Sequence, residues 1–221
     1  MSFSDLPTEI YLIIGTFLER RSDINSLCQA SRRLYYILIQ HLYRDDAQHG
    51  HRRAVFYAAE TGSIGTARLS IYNGCPTTVK NFHELTPLHL ASENGHASVV
   101  KLLLETARPL NVDARDSTGT SSLHLAAENG HDEVVKLLLA TGRVDVGATD
   151  KDGKSPLLLA AKNGHDAVVK LLLATGKVNM NARDQWGRTP FELAVRRSHE
   201  AVVKLLLDSG RVDINKADHN D

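Results

Sequence analysis

Thr86-Pro87-Leu88-His89-Leu90-Ala91 returns three times along the chain. It comes back as Ser121-Ser122-Leu123-His124-Leu125-Ala126, as Ser155-Pro156-Leu157-Leu158-Leu159-Ala160 and as Thr189-Pro190-Phe191-Glu192-Leu193-Ala194, at steps of 35, 34 and 34 residues. Two more phrases keep the same phase. One reads Asn94-Gly95-His96, Asn129-Gly130-His131, Asn163-Gly164-His165 and then Arg197-Ser198-His199. The other is Val-Lys-Leu-Leu-Leu, starting at Val100, Val135, Val169 and Val203. Self-similarity at a fixed period of this size marks a repeat array.

Each phrase has a local physical role. Thr or Ser ahead of Pro is an N-cap followed by proline at the first helical position, where its missing N–H costs nothing. The first helix of each copy is short and ends near Glu93, Glu128, Lys162 and Arg196. Gly95, Gly130 and Gly164 then give the chain a position free to take positive φ and reverse. The leucine run makes a second helix with one apolar face. Asp and Gly in the stretches 113–119, 149–153 and 183–187 predict tight hairpins between copies.

Two antiparallel helices and a hairpin every 34 or 35 residues resemble the ankyrin repeat. The resemblance runs over about residues 53–221 and implies five copies, four strong and one degenerate. The degenerate first copy holds Ala58-Ala59-Glu60-Thr61-Gly62 and Gly74-Cys75 and lacks the Thr-Pro-Leu-His phrase, as an end cap does. The expected fold class is all-α: three N-terminal helices, then a solenoid of helix pairs joined by β-hairpin turns. The chain stops at Asp221 inside the hairpin after the last copy, without an obvious polar cap, as a shortened product would.

Residues 1–48 do not share the period. They open with Ser4-Asp5-Leu6-Pro7-Thr8-Glu9-Ile10 and an apolar stretch through Ile13, Ile14, Phe17 and Leu18. A polar break follows, then Asp23-Ile24, Leu27, Ala30-Ser31-Arg32, Leu34-Tyr35 and the closing Leu42-Tyr43-Arg44. This pattern resembles the F-box, with Leu34 where many members of that family carry Trp. The resemblance implies three short helices that bind the adaptor subunit of a cullin–RING ubiquitin ligase, with Leu6, Pro7, Ile10, Ile14 and Leu18 at the interface. The bland alternative is that these helices only cap the solenoid. No Gly/Ser linker separates Arg44 from the first copy, so the two parts are expected to be held rigidly.

Composition narrows the function. Lys plus Arg and Asp plus Glu are both 26, which removes the net basic charge expected of a nucleic-acid binder. The apolar run Ile10–Leu18 is too short to span a bilayer and follows acidic residues, so it reads as neither membrane span nor signal peptide. Two cysteines, Cys28 and Cys75, do not make a disulfide framework and point to reduced thiols in the cytoplasm or nucleus.

Sites of chemistry are hard to find. Six of the eleven histidines (His89, His96, His124, His131, His165 and His199) sit at repeat positions and are expected to hydrogen-bond to turns; a zinc site needs clustered ligands. Gly153-Lys154-Ser155 resembles the end of a phosphate loop, but the required earlier glycine is Ala148. Asp150-Lys151-Asp152-Gly153 hints at a calcium loop, yet its twelfth position is Leu159 and not Glu. No nucleophile–base motif appears. The expectation is a non-enzymatic protein without cofactor or metal.

Binding signal lies where the copies differ. At the hairpin tips these positions are Phe82, His83 and Leu85, Ser117, Thr118 and Thr120, Lys151, Asp152 and Lys154, and Gln185, Trp186 and Arg188. On the helices they are Glu93, Glu128, Lys162, Arg196 and Arg197, running from acidic to basic along the array. Tryptophan is enriched in binding hot spots, and Trp186, the single one in the chain, sits in a tip; the other reading is that it packs on the neighbouring hairpin. The expected function is a substrate receptor of a ubiquitin ligase, with a protein held on the repeat face; the alternative is an ankyrin scaffold with no ligase link.

Overall fold

A computed structural model describes residues 53–106 and 110–213. The N-terminal residues resembling an F-box, including Leu6, Pro7, Ile10, Ile14 and Leu18, lie outside the described residues.

Among the described residues five helix pairs follow one another: α1 Arg53–Thr61 and α2 Ile64–Tyr72, α3 Pro87–Glu93 and α4 Ala97–Thr106, α5 Ser122–Glu128 and α6 Asp132–Ala140, α7 Pro156–Asn163 and α8 Asp166–Ala174, α9 Pro190–Arg196 and α10 Glu200–Asp208. The degenerate first copy forms the same pair as the strong ones. The first helices of the pairs stack on one another as an inner layer, and the second helices stack as an outer layer. Between the layers runs one apolar core from Ala58 to Leu206. The inner helices contribute one leucine and small residues, as in Leu123, Ala126 and Ala127, so the layers approach closely. The outer helices contribute Val-Val-x-x-Leu faces such as Val134, Val135 and Leu138. Each fully buried leucine or valine is worth about 1.5–3 kcal/mol. No helix pair can bury both sides of its apolar surface by itself, and stacking does so.

The caps work as the sequence predicts. Thr86, Ser121, Ser155 and Thr189 sit at the N-caps of α3, α5, α7 and α9 with extended backbone. In the first two, the third helical residue is a histidine that returns the bond. The Nδ1 of His89 lies 3.1 Å from the Thr86 amide, and that of His124 lies 3.3 Å from the Ser121 amide. In α9, Glu192 does the same work, its carboxylate accepting from the Thr189 amide at 2.9 Å. In α7 the position is Leu158, and only the Ser155 hydroxyl caps, accepting from the Leu158 amide at 3.2 Å.

The glycines of the Asn-Gly-His phrase do more than turn the chain. Gly95, Gly130 and Gly164 have φ of 72, 73 and 78°. A Cβ on Gly95 would sit 2.6 Å from the Nδ1 of His131, one on Gly130 2.5 Å from that of His165, and one on Gly164 2.6 Å from that of His199. Gly62 in the first copy faces His96 in the same way, at 2.6 Å. Each ring therefore fills the space that the glycine of the preceding repeat leaves open.

The hairpins differ from expectation. Among the described residues there is no β-strand, only an isolated bridge between Arg115 and Ser121. Each turn closes on one backbone bond, as from the Asp116 amide to the Thr120 carbonyl at 3.0 Å, and on a side chain. Asp116 Oδ1 accepts from the amides of Thr118 and Thr120, both at 2.8 Å. Asp150 accepts from Asp152 and Lys154, and Asp184 from Trp186 and Arg188. Asn81 replaces the aspartate in the first tip, accepting from His83 and Leu85. One carboxylate or amide oxygen satisfies two amides, so the tip needs no partner strand.

Candidate partner-binding face

The tips are tied to one another. The Ser117 amide donates to the His83 carbonyl at 3.1 Å, Lys151 to Thr118 at 3.0 Å and Gln185 to Asp152 at 2.8 Å. This line of bonds consumes tip backbone at the positions that vary most between copies. It leaves the side chains to project from a fixed row.

Between the third and fourth repeats the row and the inner helices enclose a groove of about 400 Å³. Ser117, Thr118, Glu128, Lys151 and Asp152 line it, together with Thr120 and Lys154. The structure thus brings seven of the predicted binding positions to one place. Two further lining residues, Asp150 and Leu159, escaped the sequence reading because their repeat roles, a turn oxygen and a helix leucine, account for them fully. Inside the groove Lys154 pairs with Asp152. The Lys151 ammonium donates to the Ser117 carbonyl at 2.7 Å.

The Lys151-Asp152-Gly153-Lys154-Ser155 segment is occupied by structure. Asp150 is committed to two amides, Gly153 takes φ 78°, and Ser155 caps α7. Its hints of a calcium or phosphate loop therefore have a structural explanation. Among the described residues, no cluster of His, Cys, Asp and Glu has a metal-binding arrangement.

Trp186 packs against the neighbouring hairpin, one of the two readings the sequence left open. Its ring lies under the Arg188 guanidinium, 4.3 Å from the centroid, and 5.4 Å from the Lys154 ammonium of the preceding tip. The ring nevertheless remains half exposed. Arg188 is held by a buried carboxylate, Asp184, at 2.7 and 2.8 Å. Burial alone would raise the Asp184 pKa. Hydrogen bonds from the Arg188 side chain and from the Arg188 and Trp186 amides outweigh it and hold the group below the usual carboxylate range. Asp184 was missed as a positioning residue, although its place in the Asp-x-x-Gly turn was visible.

The other predicted positions stand apart from the groove. Phe82 is fully exposed on the first tip, beside the exposed His83. Gln185 is exposed on the last tip. Glu93, Arg196 and Arg197 are exposed and Lys162 is half-buried at the ends of their inner helices. Glu60 stands at the same repeat position as Glu93 and was not singled out.

Beneath these helix ends the histidine of the Asn-Gly-His phrase, and its counterpart His199, reaches back one repeat. The Nε2 of His96 donates to the Glu60 carbonyl at 2.9 Å, His131 to Glu93 at 2.9 Å, His165 to Glu128 at 2.9 Å and His199 to Lys162 at 3.0 Å. The histidines are thus structural pins, and they fix the backbone from which the charged side chains leave.

A family model described as ankyrin repeats matches residues 55–150 and 123–218. Among curated proteins the chain is similar to the E3 ubiquitin-protein ligase KEG of Arabidopsis thaliana, 37% identical over 67 residues, which is 30% of this chain and 4% of that protein. It is also similar to Alpha-latrotoxin-Lhe1a of Latrodectus hesperus, 35% identical over 66 residues, 29% of this chain and 5% of the toxin. The chain thus matches a small fraction of either relative's length. No helix among the described residues is long and apolar enough to cross a membrane.

Proposed function

The chain belongs to the ankyrin-repeat family, and from that premise we propose that it is a substrate receptor of a cullin–RING ubiquitin ligase. The interaction role comes with the family: ankyrin repeats are typically non-enzymatic modules that hold protein partners. The ligase link is carried by one observation, the Leu6-Pro7-Thr8-Glu9-Ile10 pattern and its apolar continuation to Leu18, placed directly ahead of the array. That one similar protein bears the name of an E3 ubiquitin-protein ligase agrees with this reading, although the match is confined to 67 residues.

In this reading residues 1–48 dock on the ligase adaptor through Leu6, Pro7, Ile10, Ile14 and Leu18. The face made by the tips and inner helices holds the protein to be modified. The groove at Glu128 and Lys154 and the half-exposed Trp186 are its anchor points, because a preformed hollow and a rigid aromatic side chain bind with little loss of conformational entropy. The stiffness of the stacked repeats suits a protein that must present a substrate at a fixed distance from a catalytic subunit. Localisation in cytoplasm or nucleus follows from the same reading.

The test is to mix the full chain with the purified adaptor subunit and measure binding, beside the double variant Leu6→Ala/Pro7→Ala. Binding that the double variant loses is the expected result. Absence of binding would leave an ankyrin scaffold whose N-terminal segment serves as a cap.

A further inference from the structure

One position in each repeat forms a column with a sign change. The third residue before the histidine of the Asn-Gly-His phrase, at the end of the inner helix, is Glu60, Glu93, Glu128, Lys162 and Arg196 in successive repeats once the phase is aligned on Gly62, Gly95, Gly130, Gly164 and Ser198. Three acids are followed by two bases. The carbonyls of the first four are those that the histidines hold, at 2.9 to 3.0 Å. The column therefore rises from a regular, pinned backbone. Glu128 lines the groove together with the tips, which places the column on the same face as the tip row. Among the described residues Glu60, Glu93, Glu128 and Lys162 form no ion pair.

We infer that this face takes an extended protein segment with charge in two blocks, basic side chains against Glu60, Glu93 and Glu128 and acidic ones against Lys162 and Arg196. The inference rests on the reading of the face as a partner-holding surface and names the chemistry of the partner. The dimensions fit. Packed helices lie about 10 Å apart, and an extended chain rises about 3.3 Å per residue. One repeat therefore matches about three residues, and the four steps between the five positions of the column match about twelve. The groove lies where the sign changes, lined by Leu159, Thr118 and Thr120 together with Glu128, Asp152 and Lys154, and admits a side chain at the junction of the two blocks.

The test uses the full chain and labelled synthetic peptides of twelve residues. One set places Lys at every third position of one half and Glu at every third position of the other, in both chain directions. The control has the same composition with the charges alternating. Anisotropy at low salt is expected to show one direction of the blocked peptide binding about tenfold more tightly than the control, with the preference shrinking as salt rises. The variant Glu60→Gln/Glu93→Gln/Glu128→Gln/Lys162→Gln should lose the preference while keeping its urea midpoint, because the histidines bond to backbone and not to these side chains. Equal binding of blocked and alternating peptides, a preference that survives in the variant, or no peptide binding at all would overturn the inference. Adaptor capture by the N-terminal segment is a separate measurement, and its outcome does not alter this one.

Discussion

Gly164 and Ser198 stand at the same place in successive repeats, and both have left-handed backbone, at φ 78 and 58°. Gly164 has the His199 ring packed where a Cβ would be. Ser198 lies on the last described face, where the described residues hold no further pair to place a ring on it. Around it Val195 and Leu207 are exposed, at 49 and 42%, and line a shallow groove of about 410 Å³ with Val203. In the interior repeats the residues matching Val195 are the buried Ala161, Ala127 and Ser92. The comparison teaches that the turn itself does not demand glycine, since serine makes it at the end. What demands glycine is the next repeat. A repeat with Ser198 in this position could not seat the histidine that every interior interface uses.

Four experiments press on that contrast, from the largest expected effect to the smallest. Gly130→Ala puts a Cβ about 2.5 Å from the His165 ring and adds left-handed strain. It should cost about 2–4 kcal/mol in urea denaturation. A cost under about 1 kcal/mol would mean that the ring swings aside freely, and the interior would then be no stricter than the end.

Acid is the second probe, because it acts inside the interfaces. Burial, helped by the nearby Arg115, lowers His124 to about 4, and burial also lowers His89. His89 Nε2 donates across the interface to the Thr120 carbonyl at 3.2 Å. His124 Nε2 faces the carbonyls of Ala148 and Lys154 but closes no hydrogen bond. Both rings are neutral, with Nδ1 accepting at the cap. Their folded pKa values lie below the unfolded value, so the unfolded chain takes up protons first. Stability is complete above about pH 6.5 and falls as pH drops toward 4, by about 3 kcal/mol for His124. His124→Leu, which copies Leu158 of the next repeat, should flatten this slope between pH 7 and 4.5 in urea titrations. An unchanged slope would exonerate His124.

His165→Ala removes one pin to the Glu128 carbonyl and should cost about 1 kcal/mol, read as a lower melting temperature. Smallest of all, Ser198→Gly should stabilise by no more than about 1 kcal/mol, since it relieves strain and meets no ring. A loss of stability there would show that Ser198 makes a contact of its own and would erase the contrast between the end and the interior.

The helix pairs were legible because their signals are local. Thr86 with Pro87, Ser155 with Pro156 and Thr189 with Pro190 fix helix starts within one turn, and the Val-Lys-Leu-Leu-Leu face repeats at helical spacing. The hairpin was read less well. Asp and Gly mark a turn, but whether a ladder forms beside it depends on where the amides go, and here Asp116, Asp150 and Asp184 take them. The candidate face was half legible. Variation among copies picked out Ser117, Thr118, Glu128, Lys151 and Asp152, which do meet in a groove, but it gave no reason to pair Trp186 with Lys154 one repeat earlier. Glu60 was passed over because its repeat lacks the opening phrase, although the glycine phase aligns it with Glu93.

By itself the sequence determined the period, the number of helix pairs, their caps and the ankyrin resemblance, because bonds between residues three or four apart depend on little else. Tertiary structure alone decided which histidine fills which glycine, why His124 lacks a partner that His89 has, and that Glu128 meets the tips in one groove. Those contacts join groups more than thirty residues apart, and their geometry exists only once the repeats have stacked.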